Sequence, residues 1–258
     1  MALKFAGLVV LFYRNKVIAL CLFFMLYVSA VSCAQLRVIL KLDDISAKNG
    51  QCQVLPLMKY LIDRNVKASY GIIADRLDST AYSLLKPVIQ ARDKNGRAMA
   101  EFWNHGLTHS RQGNVFEFKG MSSELQKAHL DAAHLLVQKN LGVTMTTFGA
   151  PFNATDSVCL KVVSENPAYK KVFFSKVEIS TPVSFKRINN HVPMEKETGV
   201  PDFGYFLEQM KNNTAFLNEG IVLQGHPGKW KDAGLQEFKK ILAYLDSLDC
   251  VYVLPADF

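Results

Sequence analysis

The sequence predicts an α/β protein in which one parallel sheet is closed into a barrel. From Leu36 onwards, short apolar runs alternate with amphipathic stretches about seven times, as a parallel sheet covered by helices requires. The chain has 258 residues, of which 49% are hydrophobic and 21% are charged, and this composition excludes disordered, collagen-like and coiled-coil proteins. Residues 35–258, which follow an apolar amino-terminal segment, are enough for one barrel, so we expect a single domain.

The predicted elements follow one another in a regular order. A strand at residues 36–42 stops at Asp43 and Asp44, and apolar residues at helical spacing predict a helix at 54–65. The long helix 122–140 is opened by Ser122 or Ser123, because serine is favoured at helix N-caps. Further strands are predicted at 68–74, 98–103, 146–150, 171–174, 220–224 and 251–254, and further helices at 82–91, 157–165, 205–211 and 234–248. Prolines and a glycine break every period in residues 178–202, which predicts a long irregular excursion on the barrel rim.

The first 34 residues have the features of an export signal. Residues 17–34 contain no charge and follow the basic Arg14 and Lys16, and the run ends in small residues that favour cleavage after Ala34. Two alternatives remain open. Residues 30–33, Ala-Val-Ser-Cys, resemble the lipobox of a bacterial lipoprotein with Cys33 lipidated, and an uncleaved segment would be a membrane anchor. All three readings place residues 35–258 outside the cytosol, in the periplasm, in the cell envelope or in the medium.

The charge balance indicates no nucleic-acid partner. The net charge is +7, but Lys4, Arg14 and Lys16 lie in the amino-terminal segment, which holds no acid, so residues 35–258 carry 27 bases against 23 acids. No basic tract remains that would bind a phosphate backbone. We expect a monomer, with any membrane attachment made through the amino terminus.

The polar residues that follow the predicted strands indicate a metal site. In parallel α/β folds the functional site forms at the carboxyl ends of the strands, and the aspartates 43 and 44, His105, His109 and His226 all follow predicted strands. One carboxylate and two imidazoles are typical ligands of a catalytic Zn²⁺, which activates water and polarises a carbonyl group. A second carboxylate can then act as the base.

Four motifs in this sequence occur in a characteristic order. They are Lys-Leu-Asp-Asp at 41–44, Glu-Phe-Trp-Asn-His-Gly-Leu-Thr-His at 101–109, Phe-Gly-Ala-Pro-Phe-Asn at 148–153 and Val-Leu-Gln-Gly-His-Pro at 222–227. They resemble the Thr-Phe-Asp-Asp, His-x-x-x-His, Phe-Arg-Pro-Pro-Tyr-Gly and Leu-x-x-His motifs of the NodB-type polysaccharide deacetylases, which are carbohydrate esterase family four. The resemblance spans most of residues 35–258 and implies a distorted (β/α)₇ barrel, in agreement with the strand count.

The resemblance also implies catalytic roles. Asp43 would be the general base, and Asp44, His105 and His109 would hold a divalent metal, by preference Zn²⁺. His226 would be the general acid. A carboxylate held by the metal cannot also accept a proton freely, so the division between Asp43 and Asp44 is chemically reasonable.

The same resemblance implies an oxyanion and substrate pocket. The backbone N–H of Phe152, which follows Pro151, would stabilise the oxyanion, and Leu223 would line the space for the acetyl methyl group. Trp103 is a further candidate for this pocket, because an indole at the rim can stack on a sugar ring.

The expected function is the metal-dependent removal of acetyl groups, above all N-acetyl groups, from a cell-envelope or extracellular polysaccharide. This reaction is the hydrolysis of the C–N bond of a linear amide. Three departures from the motifs bear on the substrate and the rate while leaving the reaction plausible: the arginine that pairs with the base is replaced around Gly149, Gly106 replaces a serine or threonine, and the Asp-Trp motif that supports the acid histidine is not matched. The charge that tunes Asp43 must come from elsewhere or be absent, and the alternative is a metal-containing module that binds glycan without turnover.

Overall fold

The structure is a computed structural model that describes residues 35–258, so the signal-peptide, lipoprotein and anchor predictions lie outside the described residues. Along the chain the strands are β1 (Arg37–Ala47), β2 (Ala68–Leu77), β3 (Ala100–Asn104), β4 (Arg111–Gln112), β5 (Val115–Phe116), β6 (Thr147–Phe148), β7 (Lys171–Phe173), β8 (Lys186–Ile188), β9 (Glu195–Glu197), β10 (Val200–Pro201), β11 (Ile221–Gly225) and β12 (Val251–Tyr252). In this range seven of them pair in parallel in the spatial order β11-β1-β2-β3-β6-β7-β8. The hairpins β4–β5 and β9–β10 are antiparallel.

The sheet curves until its two edges meet. The chain that follows β8 runs beside β11, where the Val222 N–H donates to the Asn190 carbonyl at 2.8 Å and the Val192 N–H donates to the Val222 carbonyl at 3.0 Å. These two hydrogen bonds join the last strand of the sheet to the first. The result is the nearly closed seven-stranded barrel that the sequence predicted.

Helices cover the outside of the barrel. They are α1 (Leu55–Asp63), α2 (Ala81–Ile89), α3 (Ser123–Leu141), α4 (Ser157–Glu165), α5 (Phe203–Asn212) and α6 (Asp232–Ser247). Ser122 is the N-cap of α3, as predicted, and its hydroxyl accepts the Leu125 N–H. Gly142 ends this helix in the left-handed conformation, with φ +65°. No helix within residues 35–258 combines the length and apolar character needed to cross a membrane.

Alternation along the strands separates two apolar layers. Ile39, Trp103, Phe173, Ile188 and Val222 come from five different strands and pack together inside the barrel. The neighbours of these residues along each strand point outward. Val38, Leu40 and Leu223 therefore belong to the larger cluster beneath the helices. The interior positions beyond the inner layer, towards the carboxyl ends of the strands, are polar, and they form the candidate site.

The structure differs from the sequence predictions at three places: the end of β1, the irregular excursion and the last strand. β1 does not stop at Asp43 and Asp44 but continues through them to Ala47 by way of a bulge. The predicted excursion contains the barrel strand β8 and the hairpin β9–β10, because strands of two or three residues are too short to show a period. The terminal strand β12 pairs only with the first residues of β1 and lies off the main path of the sheet.

Candidate active site

A bulge in β1 brings two neighbouring aspartates to one place. Adjacent residues of a regular strand point to opposite faces, so Asp43 and Asp44 would normally be separated by the sheet. The register of β1 against β2 shifts between Leu42 and Ile45, and Asp44 has a left-handed φ of +63°. As a result, Nε2 of His105 lies 3.8 Å from Oδ2 of Asp43 and 3.4 Å from Oδ1 of Asp44.

Asp44, His105 and His109 form a potential metal-binding set. The candidate ligand atoms lie within 4.8 Å of one another, and Nε2 of His109 is 3.1 Å from Oδ1 of Asp44. This carboxylate oxygen is buried without a well-aligned hydrogen-bond donor, as a ligand atom would be. Burial acts to raise the pKa of Asp44, but the two imidazoles hold it well below its usual range. The donor set therefore fits a divalent cation.

The backbone selects which nitrogen of His105 is available. Nδ1 of His105 lies 2.7 Å from the Gly149 carbonyl oxygen, which can only accept a hydrogen bond. Nδ1 therefore donates this hydrogen bond, and Nε2 is the ring nitrogen that faces Asp44. This arrangement is typical of the outer hydrogen bonds that orient histidine ligands.

A buried lysine holds the other aspartate. The ammonium group of Lys41 lies 2.8 and 2.6 Å from the two carboxylate oxygens of Asp43, and both side chains are almost fully buried. The side-chain amide of Gln224 donates a further hydrogen bond to Asp43 at 2.6 Å. Burial alone would raise the pKa of Asp43, but the charges of Lys41, His105 and His226 hold it below its usual range. Asp43 is therefore an ionised carboxylate, held separately from the ligand set.

Lys41 places a positive charge beside Asp43, although the sequence lacks the motif arginine. A Cβ atom on Gly149 would lie 2.7 Å from the Trp103 ring, so the indole fills the space beside this position. The Lys41 ammonium lies 4.8 Å from the centre of the same ring, which favours a cation there. Trp103 is fully buried in the inner apolar layer, where it packs against Lys41, and it does not line the rim of the site as predicted.

A second buried carboxylate organises the loop that carries His109. Glu117 accepts hydrogen bonds from the N–H groups of Leu107 at 2.6 Å and His109 at 2.7 Å, and from the Thr108 N–H between them. Nδ1 of His129 lies 3.1 Å from the same carboxylate. At position 106, a Cβ atom would lie 2.7 Å from Glu117 Oε2, so the glycine in the motif makes room for this carboxylate. Sequence reasoning assigned no role to Glu117 or His129.

Glu195 supports the predicted acid, His226. Its carboxylate lies 2.7 Å from Nδ1 of His226 and accepts the His226 backbone N–H at 2.8 Å and the Trp230 indole N–H at 2.5 Å. Nε2 of His226 faces Asp43 Oδ2 at 3.9 Å. Burial would lower the pKa of His226, but the hydrogen bond to Glu195 and the charge of Asp43 raise it above its usual value. His226 thus has a carboxylate and, through it, an indole as partners, although the sequence lacks the Asp-Trp motif.

The predicted pocket residues fall in different places. Phe152 has a left-handed φ of +59°, is 47% exposed, and places its ring 4.4 Å from that of His109. Pro151 is buried next to it and begins the tight turn, so both residues border the ligand set, and the oxyanion role of the Phe152 N–H stays a prediction. Leu223 is not brought to the site, because its side chain lies in the outer layer while Gln224 points inward.

Comparison with known proteins supports the fold. The sequence matches no family model and no curated protein. Among solved structures, a family 4 acetyl xylan esterase from Clostridium thermocellum is 15% identical with a TM-score of 0.58, over 84% of this chain and 87% of that chain. A peptidoglycan N-acetylglucosamine deacetylase is 15% identical with a TM-score of 0.60, over 87% of this chain and 89% of that chain. A CE4 family pseudoenzyme from Bacillus anthracis is also 15% identical, with a TM-score of 0.57, over 85% of this chain and 63% of that chain.

These structures show that the chain has the fold of carbohydrate esterase family four, so the predicted distorted (β/α)₇ barrel is confirmed. The similarity extends along nearly all of the described residues. Because the neighbours include both active enzymes and a pseudoenzyme, the activity of this chain has to be argued from its own site.

The network around Glu117 predicts a defect in metal binding. Glu117→Gln would turn an NH₂ group towards backbone N–H donors, so the loop could not keep His109 in place, and metal affinity should fall by about 10- to 100-fold. Zn²⁺ titration against a competing chelator measures this, with Glu165→Gln, an exposed change on α4, as the matched control. Unchanged affinity in a folded Glu117→Gln protein would contradict the role of Glu117.

The pair of Glu195 and His226 predicts a shift in pH dependence. In Glu195→Gln the imidazolium loses its main stabilising partner, so the pKa of His226 should fall and fewer molecules should hold the proton at a given pH. The alkaline limb of the kcat/KM profile for acetate release should therefore move to lower pH. Glu197→Gln, two residues away and exposed, should leave the limb in place. An alkaline limb at the wild-type pH in Glu195→Gln would exclude this pairing.

Proposed function

We propose that this protein is a metal-dependent hydrolase that removes N-acetyl groups from a polysaccharide. The observation that carries the proposal is the division of labour within the β1 bulge. Asp44 faces two imidazoles as a ligand, whereas Asp43, one residue earlier, is paired with Lys41 and faces His226. A base, an acid and a cation site then lie at the same end of the barrel.

The protonation states of the chain's own residues suit this reaction. When bound by Asp44, His105 and His109, a divalent cation, by preference Zn²⁺, would supply Lewis-acid activation of water and of the carbonyl group. Asp43 is ionised and can accept the proton of the attacking water. The hydrogen bond to Glu195 and the charge of Asp43 raise the pKa of His226, so it keeps its proton to higher pH than an ordinary histidine and can donate it from Nε2.

The raised pKa of His226 favours an amide as the substrate over an ester. An amine leaves a tetrahedral intermediate only when its nitrogen is protonated, whereas an alcohol is a better leaving group. His226, with Glu195 at Nδ1 and a raised pKa, has Nε2 free to donate a proton to such a nitrogen. The solved neighbours named above include an enzyme described as acting on peptidoglycan N-acetylglucosamine, which supports an acetylated glycan as the substrate class.

The alternative function, glycan binding without turnover, rests on the missing motif arginine and on the pseudoenzyme among the neighbours. Lys41 weakens the first argument, because it contacts both oxygens of Asp43 from within the barrel. Glu195 and Trp230 weaken the argument from the missing Asp-Trp motif. The residues that the motifs lack thus have counterparts from other parts of the chain.

Isosteric changes of the two aspartates test the proposal. Asp43→Asn cannot accept a proton, so acetate release should fall by about 10²-fold or more while metal content is retained. Asp44→Asn should lose metal as well as activity. The measurements are acetate released from a panel of N- and O-acetylated oligosaccharides, with and without added Zn²⁺, and elemental analysis of the purified variants.

Two outcomes would reject the proposal. Tight metal binding by the wild-type protein with no acetate released from any substrate would favour the binding module. Wild-type turnover in Asp43→Asn, or metal loss in Asp43→Asn with retention in Asp44→Asn, would show that the roles of the two aspartates are assigned wrongly.

A further inference from the structure

A groove of about 910 Å³ lies on the barrel rim beside the candidate site. Asn153 lines it and donates a hydrogen bond to the Gln224 side chain at 3.0 Å, and Gln224 in turn donates to Asp43. The groove therefore begins two hydrogen bonds from the proposed base. Its volume lies in the range of ligand-binding clefts and is ample for a sugar unit.

The lining of the groove has the chemistry of a sugar-binding surface. Phe174 and Phe216 contribute half-buried aromatic rings, which pack well against the apolar faces of sugars. Asn189 donates its side-chain N–H to the Ser175 carbonyl at 2.9 Å, but its Oδ1 atom is buried without a partner. A ligand hydroxyl or N–H would satisfy this acceptor.

The charges in the groove all have one sign. Lys119 and Lys176 line it with exposed side chains, and neither is paired with a carboxylate of the described residues. No Asp or Glu is among the described residues that line this groove. Unpaired cations in a cleft attract anions and repel cations, because no opposite charge of the protein cancels their field.

We propose that this groove binds a sugar unit that bears a carboxylate and that neighbours the acetylated unit on the same glycan. The inference rests on the proposed deacetylase function and adds the class of substrate. Lys119 and Lys176 would bind the carboxylate, Asn189 would accept a hydrogen bond from the sugar, and the two aromatic rings would contact its apolar face. The protein would thus favour acidic glycans over neutral ones.

The test uses pairs of acetylated tetrasaccharides that differ only in charge. In the first pair, N-acetylglucosamine alternates with a uronic acid in the charged member and with the carboxyl-reduced sugar in the neutral member. In the second pair, N-acetylglucosamine alternates with a 3-O-lactyl sugar in the charged member and with its amide in the neutral member. The wild-type kcat/KM for acetate release should be higher for the charged member of at least one pair. This preference should fall as salt is added, because exposed charges are screened. The two pairs distinguish the two sources of the carboxylate.

Charge-removing variants locate the effect. In Lys119→Gln/Lys176→Gln the ratio of kcat/KM values, charged over neutral, should fall by about 5- to 10-fold, as expected for two exposed ion pairs. The matched control is Lys139→Gln, an exposed lysine in the last turn of α3, which leads to the start of β6 at the opposite end of the barrel. This control should keep the wild-type ratio.

Binding separates the failure of this inference from the failure of the proposed function. The Kd of each tetrasaccharide is measured by calorimetry with the Asp43→Asn protein loaded with Zn²⁺, so the result does not depend on turnover. Tighter binding of a charged member that is lost in the double lysine variant would support the groove even if no acetate were released. Equal affinity for charged and neutral members in both pairs, or a preference unchanged in the double variant, would overturn the inference.

Discussion

The ion pair between Lys41 and Asp43 is the constraint on which the rest of the site depends. Both groups are enclosed by the barrel, and an isolated charge in such a place would cost several kcal/mol. The pair is tolerable because each ion meets the other at hydrogen-bond distance and Gln224 satisfies a further carboxylate lone pair. With Asp43 held in this way, the carboxylate of Asp44 is the one that lies nearer to His105 and that contacts His109.

The location of Lys41 follows from the alternation of β1. Ile39 lies in the inner apolar layer, Lys41 is the next residue on the same face, and Asp43 is the next after that. Trp103 and Phe173 provide aromatic surfaces at 4.8 and 5.5 Å from the Lys41 ammonium, so the cation lies between an electron-rich layer and a carboxylate. The bulge that begins after Leu42 then lets the strand present two consecutive acids to one site.

Two more buried carboxylates show how surroundings assign roles to chemically similar groups. Glu117 accepts hydrogen bonds from backbone N–H groups and shapes the His109 loop, whereas Glu195 contacts an imidazole and an indole and raises the pKa of His226. Asp43, with a lysine beside it, is suited to accept a proton. Asp44, with an oxygen that no donor satisfies, is suited to bind a cation. The differences arise from the partners and not from the carboxylates themselves.

The fold was predictable because apolar residues recur at a clear strand or helix spacing in the longer elements. The short strand β8 was missed because three residues show no period, and the alternation of strands and helices led us to count β12 in its place. The five residues for which we propose catalytic or ligand roles could be picked out from the sequence because they lie in motifs with fixed spacing. Leu223 was misplaced because a motif gives the order of residues but not the face of the strand on which each side chain lies.

The residues that hold the site in place differ in how far the sequence could have predicted them. Lys41 could have been found, since a lysine two residues before an aspartate on one strand lies on the same face. Glu117 and Glu195 could not be given roles from the sequence, because Glu117 follows the two-residue strand β5, Glu195 begins the three-residue strand β9, and their contacts with His109 and His226 arise only when the chain folds. Distances along the sequence give no sign of these contacts.

The most direct test of the account is the pH profile of acetate release by Lys41→Met, measured together with metal content. Without the cation, burial should raise the pKa of Asp43, so the acid limb should move to higher pH and the rate at neutral pH should fall by about 10²-fold, with metal retained. Lys67→Met is the matched control, because it breaks a second lysine–aspartate pair, with Asp93 at 3.2 Å, at the start of β2 and away from the site. A folded Lys41→Met protein with the wild-type rate and an unmoved acid limb would contradict the central role of this ion pair.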